Sequence, residues 1–214
     1  MTTPVHPAPA ETREVIDFGG LQIAYDERVL RPRPWTTAQS AWAAEILADA
    51  PVGPVLELCS GVGHIGLLAV AHTDRRLVCV DRNPGACEQA RLNAAANGLA
   101  GRVQVREGSM DDVLRDSERF AVVVADPPWV PSAEVARFPE DPVLAIDGGE
   151  DGLSVAWICV DTARGHLRPG GSLGLQLGTV EQVDLLDARL RDDDLAVTEV
   201  RRYDSGVLAR LDLH

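Results

Sequence analysis

The sequence predicts an α/β fold: a Rossmann-like, doubly wound, seven-stranded sheet with an antiparallel last strand pair. Short, mainly apolar runs at 55–58, 77–81 and 120–125 alternate with helical patterns, which is typical of parallel strands buried on both faces. The first run leads through a turn of small residues directly into an apolar helix, and this arrangement can host the polar groups of a ligand. Two final strands, at about 195–202 and 207–213, complete the predicted sheet.

Length, charge and composition limit what the protein can be. The chain has 214 residues, 45% hydrophobic residues and a formal net charge of −13. This length suits one domain with a short appendage: a disordered tail over 1–14, an N-terminal hairpin and helix over 15–50, and the main domain over 51–214. The N-terminus lacks a signal-peptide pattern and no apolar run approaches the ~20 residues of a membrane span, so we expect a cytoplasmic protein with no membrane partner. The acidic surface disfavours binding of extended nucleic acid but leaves a small nucleotide substrate open.

The cysteines show no metal-ligand pattern. Cys59, Cys79, Cys87 and Cys159 have no C-x-x-C spacing and no histidine at a ligand interval. Two of the four fall in predicted buried positions, where a free thiol behaves as a small apolar residue. We therefore expect no metal site.

The N-terminal elements follow from glycine, proline and capping signals. Residues 15–25 predict two short strands around a Gly-Gly turn, and the prolines of 29–37 predict an extended segment. Thr36 or Thr37 is predicted to cap a helix that runs to about Ala50. The inner face of this helix is assigned to Ala41, Ala44, Ile46 and Leu47.

The remaining helices and strands alternate along the chain. Asn83 and Pro84 predict an N-cap followed by proline at the first helical position, and the helix, which carries Ala86, Ala90, Leu92 and Ala94, is predicted to end near 97–98. The other predicted elements are a helix from 63 to about 72, a strand at 103–105, a helix at 153–167 ended by a turn at 168–171, a strand at 172–177 and a helix at 180–190.

The glycine-rich turn allows more than one ligand class. Gly61, Gly63 and Gly66 match the spacing of the dinucleotide fingerprint, and Asp81 lies 20 residues after Gly61, where it could bind ribose hydroxyls. The glycine spacing and Asp81 are also consistent with an NAD-dependent oxidoreductase, or with a Rossmann-like unit that binds phosphate or no ligand. However, Glu57 precedes the turn at the tip of the strand, where a carboxylate repels a pyrophosphate and attracts a cationic ligand.

This arrangement resembles motif I of the class I S-adenosylmethionine-dependent methyltransferases. The resemblance implies that Glu57 and the loop at 60–63, which contains Ser60 and Gly63, hold the methionine part of the cofactor. It also implies that Asp81 holds the ribose. In that family, the loop after the third strand contacts the adenine, so Met110 is expected to pack on the ring and a Ser109 or Asp111 side chain to meet its exocyclic amine.

Asp126, Pro127, Pro128 and Trp129 follow the apolar run at 120–125. In methyl transfer to nitrogen, most of the catalysis is positioning. The carboxylate of Asp126 and the carbonyl of Pro127 could accept hydrogen bonds from the two N–H groups of a planar nitrogen and turn its lone pair toward the methyl group. The two successive prolines restrict the backbone and so hold this geometry in advance. Trp129 offers a flat face on which an amide or base can stack. The alternative is a proline-rich turn in which Trp129 only packs.

Four ordered motifs resemble the HemK-type release-factor glutamine methyltransferases. Residues 126–131 are similar to that family's Asn-Pro-Pro-Tyr-x-Pro, and residues 147–153 to its Gly-Gly-x-Asp-Gly-Leu. Residues 29–36 are similar to its Val-Leu-Ile-Pro-Arg-Pro-Glu-Thr, and residues 80–84 match its second motif. By this resemblance, the methyltransferase domain is 51–214, Asp126 to Trp129 hold the target nitrogen, and Asp126 also borders the cofactor. The irregular stretch between 130 and 149 is interpreted as a substrate lid.

Departures from the family widen the choice of methyl acceptor. The family's helical N-terminal domain has no counterpart in the predicted elements of residues 1–50. Asp126 replaces an asparagine and Trp129 replaces a tyrosine, while Cys59 replaces a glycine and Trp35 a glutamate. An ionised carboxylate only accepts hydrogen bonds, so Asp126 suits a nitrogen with two hydrogens to donate. The prediction is therefore N-methylation of a planar amide or amine on a protein side chain or small molecule. An RNA or DNA amino-methyltransferase is the alternative, and an NAD-dependent oxidoreductase is a more distant one.

Overall fold

The computed structural model describes residues 13–191 and 193–214. Its strands are β1 (Glu14–Phe18), β2 (Leu21–Tyr25), β3 (Val55–Leu58), β4 (Leu77–Asp81), β5 (Val103–Glu107), β6 (Phe120–Ala125), β7 (Leu167–Leu177), β8 (Leu195–Tyr203) and β9 (Gly206–Leu213). Its α-helices are α1 (Thr37–Asp49), α2 (His64–Val70), α3 (Pro84–Ala96), α4 (Met110–Val113), α5 (Val143–Ile146), α6 (Ser154–His166) and α7 (Val180–Arg189). Short 3₁₀ helices span Pro34–Thr36, Ala100–Arg102 and Ser132–Arg137.

Seven strands form the main sheet, in the order β5-β4-β3-β6-β7-β9-β8. Neighbours from β5 to β7 are parallel, whereas β9 is antiparallel to both β7 and β8. The predicted fold class is therefore confirmed. Strand order reverses between β3 and β6, and Leu58 pairs with Ala125 at their carboxyl ends. The chain thus leaves both strands side by side, at the point where ligands bind in open α/β sheets.

Alternate side chains of the parallel strands enter two different hydrophobic cores. Leu56 and Leu58 of β3 pack on the α6 and α7 side, together with Val123 of β6. Val55 packs on the opposite side, among residues of α1, α2 and α3. Because strand side chains alternate, Glu57 lies on the same face as Val55, beneath α2.

The predicted hairpin is present as a separate two-stranded antiparallel sheet of β1 and β2. Phe18 and Ile23 bury their side chains in the core that contains α1 to α3. The side-chain amide of Asn93, on α3, donates to the Ala24 carbonyl (3.0 Å) and accepts from the Ala24 N–H (2.8 Å). Asn97 makes the equivalent pair with Gln22 (2.9 and 3.0 Å). These asparagine amides satisfy the free edge of β2 as a neighbouring strand would. The proposed tail over 1–14 lies outside the described residues except for its last two, and β1 begins at Glu14.

The structure corrects the predicted inner face of α1. Ile46 and Leu47 are buried as expected, but Ala41 and Ala44 are exposed, and Trp42 and Ala43 face the core instead. Alanines on every side of the helix leave the apolar stripe poorly defined, so the sequence does not determine its rotation.

The predicted threonine at the N-cap of α1 is confirmed in position but makes no capping hydrogen bond. Thr36 occupies the N-cap position, but its hydroxyl donates to the Arg33 carbonyl (2.8 Å) rather than accepting from the helix. The cap of α3 is confirmed, because the Asn83 side chain accepts from the N–H groups of Gly85 and Ala86. Ala86, Ala90 and Ala94 of that helix are buried, whereas Leu92 is 39% exposed.

Two element boundaries differ from the prediction. Helix α2 ends at Val70, before His72. The turn expected at 168–171 lies inside the long strand β7, where Gly170 has a φ of +75° and the pairing with β6 shifts register. The Pro-Gly-Gly sequence thus marks a local irregularity in a continuous strand. No helix in the described part of the chain is long and apolar enough to cross a membrane.

Candidate active site

A cavity of about 230 Å³ opens at the carboxyl ends of β3, β4, β5 and β6. The residues predicted for the site that line it are Ser60, Gly61, Asp81, Ser109, Met110, Asp126 and Pro128. Glu57, Gly63, Pro127 and Trp129 are not among the lining residues. The wall also includes the N-terminal segment 29–33 with Thr36, and Pro142, Leu144 and Ala145 of the 130–149 stretch. The structure therefore brings most of the predicted residues together. The N-terminal segment and the 130–149 stretch complete the wall, and we term these two parts the roof of the cavity.

The loop after β3 is built on left-handed backbone conformations. Cys59, Gly61 and Gly63 have φ values of +53°, +51° and +77°. Glycine adopts this region without a steric cost, whereas Cys59 is the only non-glycine residue with positive φ in the described chain. The Gly63 N–H donates to the Ser60 carbonyl (2.7 Å), which closes the turn, and α2 begins at His64. The result is a small-residue loop that opens one end of a helix to the cavity.

Glu57 lies behind this loop and both its carboxylate oxygens have partners. Oε1 accepts from the Gly66 N–H (2.9 Å), and Oε2 accepts from the Cys79 thiol (3.3 Å). Burial raises the pKa of Glu57 to about 7. A Cβ at position 66 would overlap the carboxylate, so Gly66 allows α2 to approach β3. Glu57 therefore connects the first turn of α2 to the sheet, and any effect on a cationic ligand acts through the loop rather than by contact.

Asp81, at the end of β4, connects two loops of the site. Oδ2 accepts from the Gly61 N–H (2.7 Å) and Oδ1 from the Asn83 N–H (2.8 Å). Burial raises the pKa of Asp81, although these N–H donors oppose the shift. Each oxygen keeps a lone pair, so the carboxylate can still accept from a hydroxyl in the cavity.

The loop after β5 forms the next part of the wall. Met110 begins the short helix α4, and its sulfur lies 4.0 Å from the Cys159 sulfur and 3.8 Å from the Thr162 hydroxyl. The Ser109 hydroxyl donates to Asp112 (2.8 Å). Met110 thus offers an apolar surface to a flat ring, whereas Ser109 is already engaged with its own loop.

Asp126 differs from the other carboxylates of the site. It follows β6, lines the cavity, and accepts no hydrogen bond from any described residue. Burial raises the pKa of Asp126 to about 7. The Gln39 side chain donates from Nε2 to the carbonyl of Ala125 (2.9 Å), which fixes the end of the strand beneath it. Asp126 is therefore held in place by its backbone while its carboxylate stays free for a ligand.

The Pro-Pro-Trp part of the motif is fixed by a residue that the sequence did not single out. Gln182, near the start of α7, donates from Nε2 to the Trp129 carbonyl (3.0 Å) and the Asp151 carbonyl (3.1 Å). The Trp129 ring lies against the backbone of Gly178, and Pro127 is buried. Trp129 thus packs beside β7, outside the cavity wall.

The 130–149 stretch, which we term the lid, is more ordered than its composition suggests. Its two ends meet in a parallel bridge between Val130 and Asp147, and the Ser132 hydroxyl donates to the Asp147 carboxylate (2.7 Å). Between them lie the 3₁₀ helix Ser132–Arg137 and helix α5. Ile146 is buried against the protein.

Two polar atoms beside the cavity have no partner among the described residues. These are the Ser60 hydroxyl and Nδ1 of His64, and both are buried. The pKa of His64 falls to about 3 because burial disfavours its charged form, so the ring is neutral. Buried polar groups are seldom left unsatisfied, and such atoms at a cavity wall favour a polar ligand.

Solved methyltransferases share this fold. The 16S rRNA N2 G1207 methyltransferase RsmC of T. Thermophilus, in complex with AdoMet and guanosine, superposes with a TM-score of 0.71 and 19% identity. The superposition covers 98% of this chain and 52% of that one. A sheet of this topology, with a cavity at its strand ends, defines a class I methyltransferase fold.

Sequence relatives give the family. A family model described as the methyltransferase small domain matches residues 39–138. A release factor glutamine methyltransferase of Gloeobacter violaceus is 35% identical over 194 residues, which cover 87% of this chain and 67% of that protein. A ribosomal protein uL3 glutamine methyltransferase of Bradyrhizobium diazoefficiens is 35% identical over 172 residues, 74% of this chain and 54% of that protein. The chain therefore belongs to the HemK-type family of glutamine methyltransferases, which confirms the resemblance. It spans 54% to 59% of the length of several relatives.

Proposed function

We propose that this chain is a cytoplasmic enzyme that transfers a methyl group from S-adenosylmethionine to the side-chain amide nitrogen of a glutamine in a protein. One observation carries the proposal. Asp126 presents an unpartnered carboxylate to the cavity at the end of β6, next to two prolines that stiffen the chain. We assign the reaction to residues 51–214, with residues 29–36 forming part of the wall.

The cavity fits the proposed cofactor at several points. Ser60 has an unsatisfied hydroxyl beside the glycine loop, where the methionine part would lie. Asp81 has lone pairs left for ribose hydroxyls. Met110 offers a flat apolar contact for adenine, and Ser109 lies beside it. Glu57 and Gly63 would support this loop from behind, so Glu57 would act on the ligand through the loop and not by contact.

The chain's own residues would position the acceptor nitrogen. When bound, S-adenosylmethionine supplies an electrophilic methyl group on a sulfonium. The Asp126 carboxylate and the Pro127 carbonyl would accept hydrogen bonds from the two N–H groups of the amide. These hydrogen bonds would fix the nitrogen and direct its lone pair toward the methyl group. The hydrogen bond from the Gln182 side chain to the Trp129 carbonyl would hold Pro128 and the rest of the motif at the cavity edge. Positioning of this kind needs no metal.

A protein acceptor is favoured over a nucleic acid. The relatives are named for methylation of glutamine in release factors and in ribosomal protein uL3. The net charge of −13 opposes binding to a phosphate backbone. We therefore take release factors and uL3 as the first acceptors to test.

The test is methyl transfer from isotope-labelled S-adenosylmethionine to purified release factor and uL3 from the same organism. Mass spectrometry of the digested acceptor should show one added methyl group on a glutamine. The matched control is the same acceptor with that glutamine replaced by asparagine. Label in RNA or in the small-molecule fraction of a lysate, with none in protein, would overturn the proposal.

A further inference from the structure

An ion pair joins two chain segments that contribute residues to the cavity wall. Arg33, in the N-terminal segment, donates from Nη2 to both carboxylate oxygens of Asp141, each at 2.7 Å. The Asp141 side chain is only 9% exposed and that of Arg33 is 35% exposed. Arg33 itself lines the cavity, and Asp141 directly precedes the lid residue Pro142, which lines it too. The pair therefore joins two parts of the roof that are 108 residues apart in the chain.

The lid has few other connections of its own. Of the hydrogen bonds seen in the described part of the chain, only those from Arg33 join residues 133–145 to a residue outside the lid. The side chains of Val143 and Leu144 are 59% and 49% exposed, so apolar packing holds this part of the lid weakly. Segments with few buried contacts open at a low free-energy cost. The hold of the lid over the cavity thus depends on Arg33.

The same arginine is connected to the glycine loop. The Arg33 carbonyl accepts from the Thr36 hydroxyl (2.8 Å), which uses the only proton of that hydroxyl. The contact between the Thr36 oxygen and Nε2 of His64 (3.3 Å) therefore requires the histidine to donate. His64 is the first residue of α2, directly after the glycine loop. A continuous series of hydrogen bonds thus runs from Asp141 through Arg33 and Thr36 to the loop.

We propose that Arg33 is a positioning residue that holds the lid closed over the cofactor cavity, so that its pair with Asp141 limits the rate at which the demethylated cofactor leaves. The identity of that ligand rests on the proposed function. Opening of the lid in the ligand-free protein is independent of the proposed function, so it can be measured separately.

The first experiment measures hydrogen–deuterium exchange of residues 133–145 in the ligand-free protein. Arg33→Ala and Asp141→Asn should both speed exchange in this segment and leave β3 and β6 unchanged. Arg137→Ala is the matched control, since it removes another lid ion pair, with Glu134, whose side chains are 70% and 47% exposed. It should leave exchange at Asp141 and Val143 as in the unmodified protein. Equal exchange in all four proteins would overturn the proposal.

The second experiment measures the dissociation rate of S-adenosylhomocysteine by stopped-flow tryptophan fluorescence. Loss of a charge-assisted, partly exposed pair should speed dissociation by about five- to tenfold in Arg33→Ala. Arg33→Lys keeps the charge but not the paired geometry and should fall between. Unchanged dissociation in Arg33→Ala contradicts the proposal, whatever the exchange of the lid. Failure of the unmodified protein to bind S-adenosylhomocysteine would instead reject the proposed function, and the exchange comparison would still test the lid.

Discussion

Two neighbouring strands, β3 and β6, each carry a carboxylate with a raised pKa at or just beyond their carboxyl ends, yet the two side chains serve different purposes. Burial raises the pKa of both Glu57 and Asp126 to about 7. Glu57 accepts from Gly66 and Cys79 and lies behind the cavity wall. Asp126 lines the cavity and accepts from no described residue. Position at the strand end and the direction of the pKa shift are therefore shared, whereas the hydrogen-bond partners and the exposure to the cavity differ.

This difference separates a structural group from one that is available to a ligand. A buried carboxylate with both oxygens satisfied supports the fold around it. A partly buried carboxylate that faces a cavity and has no partner in the described chain is left available to a ligand. We therefore assign Glu57 to the support of the glycine loop and Asp126 to the acceptor nitrogen.

The largest expected effect is on turnover. Asp126→Ala removes one of the two acceptors proposed for the amide, so kcat/KM should fall by about a hundredfold, as expected for lost positioning. Its affinity for S-adenosylmethionine should change by no more than about threefold, because other residues provide most of the cofactor wall. Methyl-transfer kinetics and calorimetry measure the two effects. Equal losses in both would show that Asp126 serves the cofactor or the fold instead.

The next effect is on stability. The pKa of Glu57, about 7 in the folded protein, lies above its ordinary value of 4.5, so the folded state binds the proton more tightly. Stability is therefore lost as the pH rises from 4.5 through 7. Glu57→Gln removes this dependence and should raise the free energy of unfolding at pH 8 by on the order of 2 kcal/mol, with little change in kcat.

Urea unfolding at pH 5 and pH 8 checks this prediction. Glu140→Gln, at an exposed lid position, is the matched control and should have no effect at either pH. A loss of turnover in Glu57→Gln as large as that of Asp126→Ala would remove the distinction between the two carboxylates.

The pH dependence of turnover sharpens the comparison further. Asp126 accepts hydrogen bonds with both oxygens only when ionised, and burial places its pKa at about 7. We expect kcat/KM to fall by about tenfold per pH unit below that value. Asp126→Asn presents a neutral carbonyl acceptor at every pH, as the protonated acid does, so the decline below pH 7 should disappear and kcat/KM should stay reduced at every pH. If kcat/KM of Asp126→Asn still declines below pH 7, the decline is caused by the titration of another group.

The smallest expected effect concerns the strained residue of the loop. Cys59 has a φ of +53°, which a glycine adopts more easily. Cys59→Gly should raise the unfolding free energy by up to about 1 kcal/mol, since relief of strain outweighs the added chain freedom. Thermal unfolding measures the change. A decrease would show that the contact between the Cys59 and Cys159 sulfurs (4.0 Å) outweighs the strain.

The sequence predicted the fold best where local signals agreed. The bounds of β3, β4 and β6 match because each is an apolar run bounded by turn residues. It was wrong where the pattern was ambiguous. Alanines around α1 hid the positions of Trp42 and Ala43, and the Pro-Gly-Gly sequence suggested a turn within what is one strand, β7.

The site was predicted in part, for a similar reason. Residues in ordered motifs, such as Asp81 and Asp126, lie at strand ends, whose meeting point follows from the topology. Gln182 and Asp141 carry no motif signal, because their roles depend on contacts with residues 53 and 108 positions away. The partners of Glu57 were hidden likewise, since strand alternation shows its face but not what binds its oxygens.

The most direct test of the account is a crystal structure of the protein with S-adenosylhomocysteine and a glutamine-containing acceptor peptide. The account predicts that the glutamine side-chain nitrogen lies about 3 Å from a carboxylate oxygen of Asp126 and from the Pro127 carbonyl. A nitrogen bound elsewhere, or an Asp126 side chain turned away from it, would contradict the central claim.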